Sequence, residues 1–264
     1  MQSLPLRRIL IPALLLAASL SAVAFHHHAN NFARSSKVET TTLRPGLILW
    51  VWERPEDLTF IDSKRIAVAY LARTIFLRGQ GVVTKPRLQP LSSPAGTTVI
   101  PVARIETDRE TPPTLSDDQA KDAAAEISQL ALLPNVSMVQ VDFDATTTQR
   151  QFYRTLLIEL RKRMPPATKL SITALASWCQ GDNWLADLPI DEAVPMLFRM
   201  GTDRNAILSR LSGEGFRATR CESSAGISTD EHINNLPAVP RLYVFNPTGW
   251  NRDALNKVME TYER

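Results

Sequence analysis

The sequence predicts an α/β chain folded as a single (β/α)8 TIM-like barrel, with a hairpin inserted after the second strand. Three observations lead there. Beyond residue 45, short apolar runs rich in β-formers alternate with segments of helical periodicity. Such alternation implies parallel pairing with crossover helices. Eight runs can be counted, the number that closes a barrel in about this length. An open doubly wound sheet is the competing arrangement. Its nucleotide-binding form would place a G-x-G-x-x-G turn after the first strand, and none is present.

The elements follow in order. Arg7 and Arg8 precede an apolar run from Ile9 to Leu20, and Ala22-Val23-Ala24 offers a small-x-small cleavage site. That is the layout of a secretory signal over residues 1–24. The apolar core is short for a membrane span, so membrane contact is expected only through this segment if it stays uncleaved. Residues 25–45 read as a flexible leader containing His26, His27 and His28, and residues 46–264 as the barrel domain. Cleavage would leave 240 of the 264 residues and lower the formal charge from +3 to +1 by removing two arginines. No basic stripe with interleaved aromatics remains, which argues against a nucleic-acid partner.

Strands are expected at Leu47–Trp52, Ile66–Leu71, Thr98–Ile105, Met138–Phe143, Leu170–Ala176, Val194–Phe198, weakly at Phe216–Thr219, and at Leu242–Phe245. Thr74–Leu91 holds two extended runs around Gly79-Gln80-Gly81, the expected hairpin. Helices are expected at Ser116–Leu132 and Thr146–Met164, each opened by a capping-box pair (Ser116 with Gln119, Thr146 with Gln149). Shorter ones are expected at Asp203–Leu211 and Ser228–Leu236, and a last one at Arg252–Tyr262.

Ligand sites in such barrels lie at the C-terminal strand ends. On the fourth strand Gln140, Asp142 and Asp144 alternate with Val139, Val141 and Phe143, so the polar set should face the barrel axis. On the third, Arg104 and Glu106 share a face near the C-terminal end. Three carboxylates and a guanidinium on adjacent strands suit acid/base chemistry: crowding raises one carboxyl pKa while the cation holds another ionised. Glycoside hydrolysis needs such a pair. An inward salt-bridge network that merely braces the barrel is the alternative. Glu53, after the first strand, and Glu222, after the expected seventh, are further carboxylates, each more simply a loop charge.

Trp50 and Trp52 end the first strand, Trp178 and Trp184 follow the fifth, and Trp250 follows the eighth. Trp52, Trp178 and Trp184 are the candidates for stacking on a sugar, with Arg104 and Arg199 as polar contacts; packing is the alternative for any Trp. Cys179 and Cys221 lie 42 positions apart and could pair in an oxidising compartment or stay as two thiols. Outside the leader His232 is the one histidine. A catalytic triad or multi-histidine zinc centre would depend on it, and H-E-x-x-H, G-x-S-x-G and P-loop signatures are absent. No cofactor is expected. A hard divalent cation could use Asp142, Asp144 and Glu106, although calcium-loop spacing is lacking.

Five stretches read together carry a family resemblance. They are Trp52-Glu53-Arg54-Pro55-Glu56-Asp57-Leu58, Arg104-Ile105-Glu106, Gln140 to Ala145, Leu170 to Leu175 with Ser177-Trp178-Cys179, and Pro195 to Gly201, which contains Arg199. From about Leu47 onward the chain resembles a bacterial family known as domain of unknown function 3142. The resemblance implies a barrel and export, and no particular reaction. A more distant resemblance is to TIM-barrel glycoside hydrolases. Chitinase-like members carry D-x-D-x-E on the fourth strand, its Glu being the proton donor. Asp142 and Asp144 match the aspartates, but Thr146 stands at the Glu position. Two readings follow: a hydrolase acting on a glycan through Asp142, Asp144 and Glu106, or a non-catalytic barrel binding a glycan or an envelope partner.

Overall fold

The computed structural model describes residues 46–181 and 183–262. The expected signal segment, its cleavage site and the histidine-bearing leader lie outside the described residues. Within them, no helix is long and apolar enough to cross a membrane.

The chain runs β1 (Leu47–Val51), β2 (Glu56–Asp57), β3 (Ile66–Arg78), β4 (Gly81–Pro86), β5 (Leu91–Ser92) and β6 (Val99–Thr107). It continues through α1 (Asp117–Ser128), β7 (Met138–Asp142), α2 (Arg150–Arg163), β8 (Lys169–Leu175), the short α3 (Trp178–Gly181) and β9 (Glu192–Met196). Then come α4 (Arg204–Glu214), β10 (Ser224–Ser228), β11 (Arg241–Phe245) and α5 (Arg252–Tyr262). Eight strands pair in parallel in the order β1, β3, β6, β7, β8, β9, β10, β11, and β11 pairs back to β1. This is the closed TIM-like barrel. β3 continues past the barrel into an antiparallel hairpin with β4, Arg78 opposite Gly81, which is the insertion after the second barrel strand.

Period-two alternation sorts the strand residues. Ile48, Trp50, Ala67, Ala69, Ile100, Val102, Met138, Val194 and Tyr243 pack together along the barrel axis. Their neighbours Val139, Val141, Ile172 and Ala193 face outward onto α1 and α2, meeting Ala123, Ile127, Phe152 and Leu156. The two helices begin differently. Thr146 and Gln149 form the reciprocal capping box ahead of α2. At α1 the Ser116 hydroxyl accepts from the Gln119 N–H, but the Gln119 amide reaches elsewhere. Its Oε1 accepts from Leu115 N–H and its Nε2 donates to the Gly79 and Gly81 carbonyls, tying the helix to the hairpin turn.

Two expected elements are displaced. The seventh barrel strand is Ser224–Ser228 rather than Phe216–Thr219. Its small residues carry little strand propensity, but the barrel needs them: a Cβ on Gly226 would lie 2.7 Å from Cη2 of Trp50. The expected helix at Ser228–Leu236 is instead an irregular loop after β10. Asn235 there takes a left-handed φ of 59°, which a helix cannot continue through, while the Glu231 carboxylate accepts from the Arg199 N–H and the Arg204 guanidinium.

The base of the barrel is closed by a buried carboxylate. Glu192, 1% exposed, accepts from Arg241 Nε at 2.7 Å, Tyr243 Oη at 2.9 Å and Ser171 Oγ at 2.8 Å. Burial, then the neighbouring Glu192 charge, lifts the Tyr243 hydroxyl well above its ordinary pKa, so it remains a donor. Glu192→Ala should lower unfolding free energy by about 3–5 kcal/mol, because it strands a largely buried guanidinium. Urea denaturation checks this; a loss under about 1 kcal/mol would mean water replaces the carboxylate.

Candidate functional site

The C-terminal strand ends enclose a cavity of about 630 Å³. Its floor is the Trp50 indole, held edge-on by Nε1 donating to Gln140 Oε1 at 2.8 Å, while Gln140 Nε2 donates to Ser171 Oγ at 3.1 Å. These groups lie on β1, β7 and β8, where alternate residues point inward.

One wall is ionic. Arg104 on β6 donates from Nη1 to Asp142 Oδ2 at 2.6 Å and from Nε to Glu106 Oε1 at 3.1 Å. Its Nη2 lies 3.9 Å from Asp144 Oδ2. The same guanidinium sits over the Trp52 ring, 5.7 Å from its centroid. Asp142 is buried and its second oxygen accepts from Thr173 Oγ1 at 2.7 Å. Asp144 follows β7 at the mouth, its side chain 49% exposed. Desolvation by the surrounding protein, followed by the Asp142 charge, raises its pKa against the opposing pull of Arg104. Burial alone would depress the Arg104 pKa, but pairing with Asp142, Glu106 and Asp144 outweighs it and raises the value. This wall therefore contains one firmly held cation, two carboxylates hydrogen-bonded to it, and one carboxyl that keeps its proton to higher pH than an ordinary aspartate.

The facing wall is apolar. Phe198 and Phe245 stack with centroids 6.0 Å apart and planes 17° from parallel, and Trp52 meets Phe245 edge-on at 6.0 Å. Met196 and Leu175 extend this surface. An aromatic cluster opposite carboxylates and a guanidinium can take a ring with an apolar face and polar edges.

Arg104, Glu106, Asp142, Asp144, Trp52 and Arg199 all line the cavity. Trp178 and Trp184 do not: they meet each other edge-on at 5.0 Å outside the barrel, under the Arg150 guanidinium, where α2 and α3 pack. The chain turns outward into α3 after β8, so nearness in sequence to a strand end does not bring them to the mouth. Trp250 is buried, its indole N–H donating to the Trp50 carbonyl. Glu53 is an exposed loop charge paired with Lys85 at 2.8 Å. Glu222 precedes β10 rather than following the seventh barrel strand, so it sits at the opposite strand end from the cavity. His232 lies exposed in the loop after β10. Cys179 in α3 and Cys221 in the turn before β10 are bonded, S–S 2.10 Å. Among the described residues no group of three or more His, Cys, Asp or Glu is arranged to hold a metal ion.

Thr173, Phe198, Phe245 and Asp203 also line the cavity and are not singled out as site residues by the sequence. For the first three a signal exists: Ser171, Thr173 and Leu175 alternate on β8, and Phe198 and Phe245 end or follow barrel strands, as Asp142 does. Asp203 lies in the helical turn leading into α4 and carries no such signal.

No protein-family model matches the chain, including one for the family named from its motifs, and no curated protein matches it. Among solved structures, a GH18 chitinase from Pseudoalteromonas aurantia is similar at 12% identity and a TM-score of 0.46, over 81% of this chain and 99% of that one. The barrel assignment stands on the strand pairing alone.

Proposed function

We propose that the protein is an exported glycoside hydrolase-like barrel that binds a glycan across its mouth, with Asp144 as the proton donor. The observation carrying this reading is the Asp144 carboxyl itself. It is raised in pKa, open to solvent, and set beside two carboxylates that Arg104 holds, opposite an aromatic wall. Asp144 gives its proton to the leaving oxygen as the glycosidic bond breaks. Glu106 acts as the nucleophile or activates the water, and Asp142, fixed by Arg104 and Thr173, stabilises positive charge developing on the ring. Trp52, Phe198 and Phe245 receive the apolar face of the sugar. The Cys179–Cys221 pair fits an oxidising compartment, and an exported chain should begin at Phe25 when its N-terminus is sequenced.

A second reading, glycan binding without cleavage, is favoured by one feature: a single guanidinium lies within 4 Å of all three carboxylates, as in a brace. A panel of bacterial polysaccharides separates the two when scored for both retention and new reducing ends. Retention with new reducing ends is expected. Retention without them would move the protein to the binding class.

A further inference from the structure

We infer that the cavity selects a cationic glycan, one built of hexosamines with free amino groups, over N-acetylated or uronic acid chains. The inference rests on the glycan reading of the same site and adds the charge of the ligand. Four carboxylates line the cavity, Glu106, Asp142, Asp144 and Asp203, against two guanidiniums, Arg104 and Arg199. Even with Asp144 protonated the lining remains negative.

The two cations are also already engaged. All three nitrogens of Arg104 lie against carboxylates, at 3.1 Å from Glu106, 2.6 Å from Asp142 and 3.9 Å from Asp144. Arg199, at the rim, is held by partners of its own. Its backbone takes a left-handed φ of 55°, its N–H donates to Glu231, and its guanidinium pairs with Asp230 and Glu231. The spare charge is therefore acidic. The Asp203 carboxylate makes no hydrogen bond or ion pair among the described residues, and that of Asp144 makes only the long approach to Arg104.

An incoming uronate would lose hydration against a wall with no free donor cation, at an unfavourable potential. An N-acetyl group would gain no ionic contact. An ammonium would find unpaired carboxylate oxygens and an aromatic surface whose π-face attracts cations. The stacked Phe198–Phe245 pair then takes the apolar face of the same sugar ring.

Calorimetric titration of the mature full chain at mildly acidic pH tests this with three probes: chitosan, chitin and galacturonate oligosaccharides of equal length. The chitosan oligomer should bind at least about tenfold more tightly than the chitin oligomer, equal to about 1.4 kcal/mol. That margin should shrink in Asp203→Asn and as salt is added, whereas galacturonate should not bind. Chitin binding as tight as chitosan, or galacturonate binding, overturns the charge selection while leaving the glycan site standing. Failure of every glycan in this set and in the polysaccharide panel overturns both readings. A margin unchanged in Asp203→Asn and in high salt would show the preference to be steric rather than ionic, and also overturns the inference.

Discussion

Asp144→Asn should reduce turnover on a cleaved polysaccharide by about two to four orders of magnitude, the usual worth of a positioned general acid. Folding should not suffer. The folded-state pKa of Asp144 lies above its ordinary value because of desolvation and Asp142. A carboxyl raised in this way favours the fold while protonated. That contribution is complete below the unfolded-state pKa and is lost as pH rises through the folded-state pKa. Asparagine imitates the protonated form, so at neutral pH the variant should melt at or slightly above the parent temperature. In the parent, turnover should fall as pH rises through the raised pKa, and the variant should lose that limb. Reducing-end assays across pH, paired with thermal melts, check both. A variant that melts several degrees lower with activity intact would make these charges a brace.

The second large effect concerns the Cys179–Cys221 bond, which closes a loop spanning 42 positions. In the chain-entropy model such a closure contributes roughly 4 kcal/mol. Cys221→Ser together with Cys179→Ser should therefore lower stability by about that amount in urea titrations. The closed loop contains β9 and α4, and with them Met196, Phe198 and Asp203 of the cavity lining. Loosening it should raise KM more than it lowers kcat, since Asp144 and Arg104 lie outside the loop. Thiol labelling of unfolded, unreduced protein gives the direct test: no free thiol is expected, and two per chain would remove the bond from the account.

What could be read from sequence followed from how directly a residue's position is set by its own strand. The alternation Gln140, Asp142 against Val139, Val141 needs only the pleat and one buried outer face, so facing follows from the local pattern. The Gly79-Gln80-Gly81 turn and the Thr146–Gln149 cap are equally local. Ser224-Ala225-Gly226 resisted because its fitness as a strand depends on the Trp50 ring across the barrel, a contact that no window of sequence contains. Reading Phe216–Thr219 as the strand then moved Glu222 to the wrong end. The segment from Ser228 to Leu236 has helical spacing, but its acidic residues answer to Arg199 and Arg204, about 30 positions away. Counting from β8 puts Trp178 and Trp184 at the mouth, and a single outward turn takes them behind it.

One chain of hydrogen bonds through the barrel axis runs in a single sense. Trp50 donates to Gln140, Gln140 to Ser171, and Ser171 to Glu192, which Arg241 and Tyr243 hold at the base. An anion at the end of such a relay fixes the sense of every member: Ser171 must spend its proton downward, so Gln140 must turn its amide nitrogen to that oxygen and its carbonyl to the indole. The acceptor that the Trp50 indole N–H meets is thus linked, through two side chains, to the carboxylate at the base. For redesign, the two ends of this barrel form one heritable unit. A new group at position 140 has to meet the Ser171 oxygen as a donor, and exchange of loops at the mouth leaves that relay untouched.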